Sequence, residues 1–280
     1  MRISELIIYG SKSLQKKFIS SHLLDSEVIL AKVLNKSREN LLISNDQLIS
    51  NERVKKFKKI IQRRLKSEPL AYIFEEKEFW NKKFKVNNST LIPRPETELM
   101  VEKIIHLFKD KKPHVLDIGT GTGCILLSLV EGIHNSKGIG IDISKKAIEV
   151  ANKNVANSKK KNNIKFYNRS LEKIFGLKFD LIVSNPPYIC SHQIKNLMED
   201  VKRYEPRIAL DGGDDGLDVI KKVIYKSKNI LKLKGMLALE IGHGQYKKVS
   251  QILKLEGFKE RFLIKDYQNN IRCILTVLNN

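Results

Sequence analysis

The pattern of apolar and polar positions divides the chain into a helical first part and a second part of alternating strands and helices. Up to about residue 75 the spacing is helical, and Gly10 is the only glycine before position 119. The clearest helix covers residues 51–66, with Asn51 placed to cap it. Its apolar residues fall on one face: Val54, Phe57, Ile61 and Leu65. The sequence therefore predicts a small helical bundle over residues 1–75.

The opposite face of that helix is strongly basic. It carries Lys55, Lys56, Lys58, Lys59, Arg63, Arg64 and Lys66. Such a face is either simply solvated or engages an acidic patch on a protein partner, in which case association would be sensitive to salt. We favour the solvated interpretation and keep the second one open.

Short β-like segments separate the two parts of the chain. Glu68-Pro69 ends the preceding helix, because the residue before a proline disfavours the α region. Apolar segments around Asn87-Asn88 then predict a β-hairpin, which we interpret as a linker over residues 76–93. These segments are Phe79-Trp80, Phe84 to Val86 and Thr90 to Ile92. Pro93 to Pro95 ends the hairpin, and Pro95 suits the first position of a new helix.

Residues 94–280 form the third predicted region, in which strands alternate with helical stretches. Seven segments have the composition of strands: 113–118, 137–142, 163–167, 179–184, 235–241, 258–264 and 271–278. Helical stretches such as 217–231 lie between most of them, and this alternation implies a parallel, doubly wound α/β sheet. Only a short polar turn at 267–270 separates the last two strands, so we expect them to pair antiparallel.

A glycine-rich loop follows the first strand of this region. Residues 115–118 run directly into the loop, which consists of Gly119, Thr120, Gly121, Thr122 and Gly123. Glycines let the backbone turn sharply and approach a ligand closely. The second strand ends in Asp142, where a carboxylate can accept hydrogen bonds from both ribose hydroxyls. These features predict a nucleoside-cofactor site, and their spacing resembles motif I of class I S-adenosylmethionine methyltransferases more than a G-x-G-x-x-G dinucleotide loop.

The segment with the most specific chemistry is Asn185-Pro186-Pro187-Tyr188, which follows the apolar strand at 179–184. Ligands of open α/β sheets bind at the carboxyl ends of the strands, so we expect this tetrapeptide to face the cofactor. An amide or exocyclic amine nitrogen is a poor nucleophile with two N–H donors. The Asn185 side-chain oxygen and the Pro186 carbonyl can accept both, which aims the nitrogen at a methyl group by orientation and fixed dipoles. Tyr188 offers a flat face to a planar amide or base.

Nearly the whole chain resembles the HemK-type protein-(glutamine-N5) methyltransferases, which modify bacterial class I peptide-chain release factors. Several motifs carry the resemblance in the same order: residues 68–73, 78–80 and 91–98, the glycine loop, residues 185–188, residues 205–217, residues 239–242 and Arg272. The resemblance implies a Rossmann-like class I methyltransferase sheet with a terminal antiparallel hairpin. It also implies a helical domain over residues 1–75 that recognises the substrate.

The resemblance further implies the role of each matching residue. Gly119 to Gly123 would line S-adenosylmethionine and its product S-adenosylhomocysteine, Asp142 would hold the ribose, and Asn185 to Tyr188 would hold the substrate glutamine. The target would be the glutamine of the Gly-Gly-Gln motif of a release factor. We expect a cytoplasmic monomer that needs no metal, no stable nucleic-acid partner and no membrane.

Two departures from the family pattern concern the edges of the site. Such enzymes commonly have an acidic residue followed by an aromatic near the adenine, whereas this chain has Asn168-Arg169-Ser170-Leu171. By ungapped spacing, Ser170 takes the aromatic position and is expected to contact the cofactor. Phe74-Glu75-Glu76 stands where the family usually has a glycine.

Four further residues have more than one interpretation. Arg94 and Glu96 either form a local pair that supports the site or contact the substrate directly. His243, between two glycines, is interpreted as a loop residue, with proton acceptance after methyl transfer as the alternative. Cys124 is interpreted as a small core residue rather than a nucleophile.

Composition restricts the class of protein without choosing the substrate. The chain has 280 residues, 41% of them hydrophobic and 30% charged, which is typical of a globular protein. Its three cysteines form neither a disulfide framework nor a zinc pattern, and no stretch reaches the ~18 apolar residues of a membrane span. The net charge of +21 would attract phosphate-rich partners, or it reflects a surface rich in solvated lysines.

Three other functions are weighed against the glutamine methyltransferase. Asn-Pro-Pro-Tyr also suits a nucleic-acid amino methyltransferase of the adenine-N6 type, but no target-recognition region follows Tyr188. A second possibility is glutamine methylation of a ribosomal protein; the segment Pro93 to Glu98 favours the release-factor branch. A third is a binding module that kept the fold without catalysis, which the intact tetrapeptide disfavours.

Overall fold

The computed structural model describes residues 1–278 and divides them into two compact units. The first consists of Met1–Glu75 with Met198–Tyr204, and the second holds the other described residues. The α-helices are α1 (Ile3–Gln15), α2 (His22–Leu34), α3 (Arg38–Ile43), α4 (Asn51–Arg64), α5 (Leu70–Phe74), α6 (Pro95–Phe108), α7 (Cys124–Gly132), α8 (Lys145–Val155), α9 (Glu199–Tyr204), α10 (Asp218–Ile230) and α11 (Tyr246–Leu255). The strands are β1 (Glu76–Phe79), β2 (Lys82–Lys85), β3 (His114–Ile118), β4 (Lys137–Asp142), β5 (Ile164–Asn168), β6 (Phe179–Ser184), β7 (Leu231–Glu240), β8 (Phe258–Lys265) and β9 (Ile271–Leu278).

The first unit is the predicted helical bundle. The apolar face of α4 is buried with residues of α1 and α2 in one core. Gly10 lies where these helices approach most closely, since a Cβ there would come 2.8 Å from the Phe57 ring and would also overlap Ser26. The expected cap was wrong by one residue: Asn51 is the first residue of α4, and Ser50 occupies the cap position.

One member of the basic face of α4 is not solvated. Arg64 is only 8% exposed, and its Nε donates to Asp25 on α2 at 2.7 Å. A second nitrogen of the guanidinium lies 3.6 Å from Asp200 on α9. Helical periodicity places Arg64 at the margin of the apolar stripe, and the buried carboxylate of Asp25 draws it inward.

The predicted hairpin exists, but its turn lies elsewhere. β1 and β2 pair through a two-residue turn at Trp80-Asn81, both with positive φ, and not around Asn87-Asn88. Phe79 and Phe84 on its inner face are almost fully buried, with ring centroids 6.1 Å apart. They belong to the same core as α6 and α7. The hairpin is therefore packed into the second unit rather than standing free as a connector.

A seven-stranded sheet organises the second unit. Its order is β5-β4-β3-β6-β7-β9-β8, with β9 antiparallel to both of its neighbours. All seven predicted strands are confirmed, and only β7 begins earlier than predicted. Alternate strand residues face opposite cores, one shared with α6 and α7 and the other with α10 and α11. The carboxyl ends of β3, β4 and β6 lie side by side, so the loops that follow them are brought together.

Candidate active site

A cavity of about 600 Å³ opens in the second unit, where the loops after β3, β4 and β6 meet. It is lined by the glycine loop, Asp142 and Asn185, and also by Arg94, Thr97 and the segment from Pro206 to Ala209. The sequence analysis predicted that the first three would lie together, and the sheet order explains why they do. Adjacent parallel strands end at the same edge.

The glycine loop is shaped for close approach by a ligand. Its first two amides, those of Gly119 and Thr120, donate to the Ile141 carbonyl at 2.9 and 3.0 Å, which ties the loop to β4. Gly119 and Gly121 have positive φ, and a Cβ on Gly119 would meet no atom within 4 Å. The space in front of the loop is therefore open cavity, and a side chain at Gly119 would occupy it.

Asp142 ends β4 with its carboxylate at the loop. One oxygen accepts from the Gly121 amide at 3.0 Å and the other from the Ser144 amide at 2.8 Å. Burial is the main influence on its pKa and raises it, while these amides oppose the shift. Because a carboxylate oxygen can accept more than one hydrogen bond, both oxygens retain capacity for a ribose diol.

Asp117 is a buried carboxylate that the sequence analysis did not single out. One oxygen accepts from the Thr120 hydroxyl at 2.6 Å, and the other has no partner among the described residues. Burial raises the pKa of Asp117 to about 7. An unpartnered buried carboxylate oxygen beside an open glycine loop fits a cationic nucleoside cofactor such as S-adenosylmethionine. The feature of the sequence that could have identified Asp117 is its position two residues before Gly119, the first glycine of the loop.

Asn185 follows β6 and lies in the cavity lining. Ser184 anchors the end of the strand by donating from its hydroxyl to the Ile118 carbonyl at 2.8 Å. The Asn185 side-chain Nδ2 lies 3.4 Å from the Thr97 hydroxyl, which in turn donates to Glu240 at 2.6 Å. Sequence reasoning placed Asn185 at the cavity but missed Thr97 and Glu240. Thr97 lies 88 residues before Asn185, and Glu240 lies 143 residues after Thr97.

Tyr188 supports the tetrapeptide and does not line the cavity as predicted. Its hydroxyl accepts from Arg272 at 3.2 Å, and the guanidinium lies 5.7 Å from its ring centroid. Burial raises the pKa of Tyr188 to about 12. Gln245 donates to the Tyr188 backbone carbonyl at 2.9 Å. The ring is thus packed against Arg272 instead of presenting a free face to a substrate.

Four other predicted site residues lie behind the lining. The backbone amide of Glu172 and, after it, the Ser170 hydroxyl lower the pKa of the Glu172 carboxyl by hydrogen bonding, and the neighbouring Arg169 and Leu171 line the cavity instead of Ser170. Gly123 faces Phe166, and Pro186 is buried and absent from the lining. Glu96 is also outside the lining, whereas Thr120, Thr122 and Pro187 are within it.

Arg94 and Glu96 were interpreted either as a local pair or as substrate contacts, and in the structure Arg94 pairs with Glu205 rather than with Glu96. Arg94 donates to Glu205 at 2.6 Å, and the other oxygen of Glu205 accepts from the Ile92 amide at 3.2 Å. The Glu205 side chain is only 1% exposed. This pair joins the segment before α6 to the segment that begins at Pro206, and both segments line the cavity.

Two residues with open interpretations are placed clearly. Cys124 is buried at the start of α7, and burial raises its pKa to about 12, which confirms the core interpretation. His243 is exposed in its turn and is not in the cavity lining. Among residues 1–278, no cluster of three or more metal-ligating side chains occurs, and no helix is long and apolar enough to cross a bilayer.

Comparison with known proteins adds to this geometry. The PrmC N-terminal domain matches residues 5–74, and a methyltransferase domain matches residues 109–268. The release factor glutamine methyltransferase of Clostridium acetobutylicum is 37% identical over 99% of this chain and 99% of its own length. That of Fusobacterium nucleatum is 39% identical over 94% of this chain and 75% of its own length. A methyltransferase structure from Pyrococcus furiosus, 16% identical, covers 78% of this chain and 99% of its own with a TM-score of 0.55.

Proposed function

Because this chain belongs to the family of release factor glutamine methyltransferases, we propose that it methylates the side-chain amide nitrogen of the glutamine in the Gly-Gly-Gln motif of class I peptide-chain release factors. The observation that carries the proposal is the position of Asn185. It follows β6 at the cavity, beside a glycine loop and Asp142, in a chain whose relatives match it over almost its full length.

The cofactor is S-adenosylmethionine, which supplies an electrophilic sulfonium methyl group and leaves as S-adenosylhomocysteine. The residues present fit it. Asp142 has acceptor capacity for the ribose hydroxyls, and the open backbone of Gly119 to Gly121 admits the rest of the molecule. One buried oxygen of Asp117 has no partner among the described residues and can take part in a further hydrogen bond. Arg169 and Leu171 are the lining residues that replace the predicted Ser170.

The chain's own contribution to the reaction is orientation. An amide nitrogen is a weak nucleophile because its lone pair is delocalised, so its position relative to the methyl group decides the rate. The Asn185 oxygen accepts one of its protons, and the backbone carbonyl of Pro186, which lies between the lining residues Asn185 and Pro187, accepts the other. These two fixed dipoles also stabilise the positive charge that develops on nitrogen during transfer. His243 is exposed and outside the cavity lining, so the proposal assigns it no role in this step.

The helical first unit is the substrate-recognition domain in this proposal. Its support is the match of residues 5–74 to the PrmC N-terminal domain, together with the basic face of α4, most of which is exposed. We infer that the protein acts as a monomer in the cytoplasm, where release factors work. The proposal needs no nucleic acid and no membrane.

The test is radiolabelled methyl transfer to a purified release factor. A second sample carries alanine in place of the Gly-Gly-Gln glutamine, and a third contains only DNA and RNA. Label on the normal factor alone is the expected result. Label on nucleic acid alone would contradict the proposal and favour an exocyclic amine as the acceptor, to which the net charge of +21 would be suited.

The variant Asn185→Ala tests the role of the tetrapeptide in the same assay. We expect turnover to fall on the order of 100-fold, the usual effect of removing one fixed catalytic dipole. The affinity for S-adenosylmethionine, measured by calorimetry, should change little. An unchanged turnover would exclude Asn185 as the orienting residue.

A further inference from the structure

A buried chain of hydrogen bonds runs behind Asn185 and ends at a carboxylate. Thr97 in the first turn of α6 and Glu240 at the end of β7 are 2% and 0% exposed. The Glu240 oxygen Oε2 accepts from the Thr97 hydroxyl at 2.6 Å, and Asn185 Nδ2 lies 3.4 Å from the same hydroxyl. These three residues come from separate elements and form one relay.

Glu240, the last residue of this relay, fixes the direction of its hydrogen bonds. An ionised carboxylate can only accept hydrogen bonds, so the single proton of the Thr97 hydroxyl must point to Glu240. The lone pairs of that hydroxyl then face Asn185, which must present its NH₂ group to them. The Asn185 oxygen is consequently turned away from Thr97 and toward the cavity.

The opposite orientation of the Asn185 amide would disable the proposed reaction. Its NH₂ group would then oppose the N–H donors of the substrate amide, and the nitrogen would lose one of its two acceptors. Asparagine alone does not decide between the two orientations, because its two ends have nearly the same size and shape.

We propose that Glu240, acting through Thr97, is a positioning residue that sets the orientation of the Asn185 amide and thereby makes the site select a glutamine side chain over a glutamate. This inference rests on the proposed function of Asn185. It goes beyond it by assigning the choice of acceptor group to two residues that are 55 and 88 positions away in the chain.

The surroundings of Glu240 suit this role. Its second oxygen, Oε1, is buried without a hydrogen-bond partner among the described residues, as is Nε of Arg272 on the adjacent strand β9. Burial raises the pKa of Glu240, while the hydrogen bond from Thr97 and the positive charge of Arg272 oppose that shift and favour the ionised form. The same guanidinium donates to the Tyr188 hydroxyl at 3.2 Å, so Arg272 also supports the other end of the tetrapeptide.

The decisive variant is Glu240→Gln, which keeps the shape of the side chain. Glutamine can donate to the Thr97 hydroxyl as well as accept from it, so the direction of the relay is no longer fixed and the NH₂ group of Asn185 can turn toward the cavity. We expect kcat for the release factor to fall on the order of 100-fold. Thr97→Val should have a similar effect because it removes the hydroxyl, whereas Thr97→Ser should restore most of the turnover.

A change of binding preference separates positioning from mere structural damage. Release factors carrying glutamine or glutamate at the target position are compared as ligands in the presence of S-adenosylhomocysteine. Wild-type enzyme should prefer glutamine, and Glu240→Gln should reduce that preference by roughly 10-fold, which corresponds to about 1.4 kcal/mol. An unchanged ratio would overturn the inference even if turnover fell.

A matched control is available in Glu260→Gln. Glu260 is a partly buried glutamate on β8 that also accepts from a hydroxyl, that of Tyr246 at 3.1 Å, but it does not line the cavity. This variant should keep wild-type turnover and preference. Affinity for S-adenosylmethionine, measured for every variant, verifies that the cofactor site is folded. Failure of the wild-type enzyme to label the factor would instead count against the proposed function.

The pH profile gives an independent readout. Burial raises the pKa of Glu240 to about 7, and the charged and titratable groups around it are Arg272, Glu96, Arg94, Tyr188 and Cys273. The protonated acid can donate to Thr97 and release the constraint on the relay. Wild-type kcat should therefore fall as the pH drops through about 7. A profile that is the same for wild type and Glu240→Gln would overturn the inference.

Discussion

Replacing Arg64 by methionine tests the buried ion pair of the first unit. Arg64 and Asp25 each have side chains that are only 9% exposed, and their closest atoms are 2.7 Å apart. Arg64 also donates to the Glu68 carbonyl at 3.3 Å and lies near Asp200. Methionine keeps the length of the stem and removes the charge, so Asp25 would remain buried without its cation.

The expected magnitude follows from this burial. Removing one partner of a buried pair costs about 3–5 kcal/mol, because the other charge is left uncompensated. The neighbouring residue supplies a matched control. Arg63 forms a two-pronged pair with Glu68 at 2.8 and 2.5 Å, but its side chain is 44% exposed. Pairs of that kind are worth about 1 kcal/mol or less. The two variants Arg64→Met and Arg63→Met otherwise make the same change one position apart in α4.

Urea unfolding measures both variants. Circular dichroism at the helix band follows the helices, while emission from Trp80, the single tryptophan, follows the second unit. The difference between the two variants in free energy of unfolding should be at least about 2 kcal/mol. Amide hydrogen exchange should show the loss of protection in α2 and α4. Equal destabilisation by both variants would refute the assignment of Arg64 as a buried charge.

Three further substitutions have effects that the backbone and burial predict. Gly123→Ala should lower the free energy of unfolding by about 2 kcal/mol more than Gly244→Ala. Both glycines have positive φ, but only a Cβ at Gly123 would lie 2.8 Å from Phe166. Equal losses in thermal unfolding would contradict this. Glu75→Gly should stabilise by about 1 kcal/mol, since Glu75 holds the left-handed cap of α5 at φ 56°, and no gain in urea midpoint would argue against strain there. The pKa of Asp117 is raised to about 7, so the folded state keeps its proton where the unfolded chain has lost it. The free energy of unfolding of the wild type, compared with that of Asp117→Asn, should therefore fall by at most about 4 kcal/mol as the pH rises from 4 to 7. A difference between the two proteins that does not depend on pH would exclude the raised pKa of Asp117.

Much of the fold follows from local pattern. The central strands β3 and β6 could be predicted because parallel strands buried on both faces form continuous apolar runs bounded by polar segments, whereas the antiparallel strand β8 alternates buried and more exposed positions. The departure at Glu75 acquires a physical meaning only with the backbone in view. Glu75 lies within the segment Phe74-Glu75-Glu76 that departs from the family pattern, and it is the left-handed end of α5. Asn87-Asn88 misled the prediction of the hairpin turn, because the burial of Phe79 and Phe84 sets the register and places Trp80 and Asn81 at the turn.

Side-chain contacts between distant segments could not be predicted from the local sequence pattern. Arg94 has a glutamate two residues away, yet it pairs with Glu205 because the direction of the chain at the start of α6 brings its guanidinium to that carboxylate. Tyr188 was expected in the cavity, and Arg272 draws its hydroxyl into the interior instead. Ser170 stands at the position of a cofactor residue, but its hydroxyl is engaged by Glu172.

The sequence by itself determined the class of fold, the glycine loop, the ribose acid and the tetrapeptide that holds the acceptor, because each of these depends on a short run of residues with its own backbone requirement. Only the tertiary structure decided which buried side chains contact the tetrapeptide. Whether the oxygen or the nitrogen of Asn185 faces the substrate depends on Thr97 and Glu240, which no local pattern links to it. Contacts between distant segments are fixed by how sheets and helices pack, and that packing is a property of the whole chain.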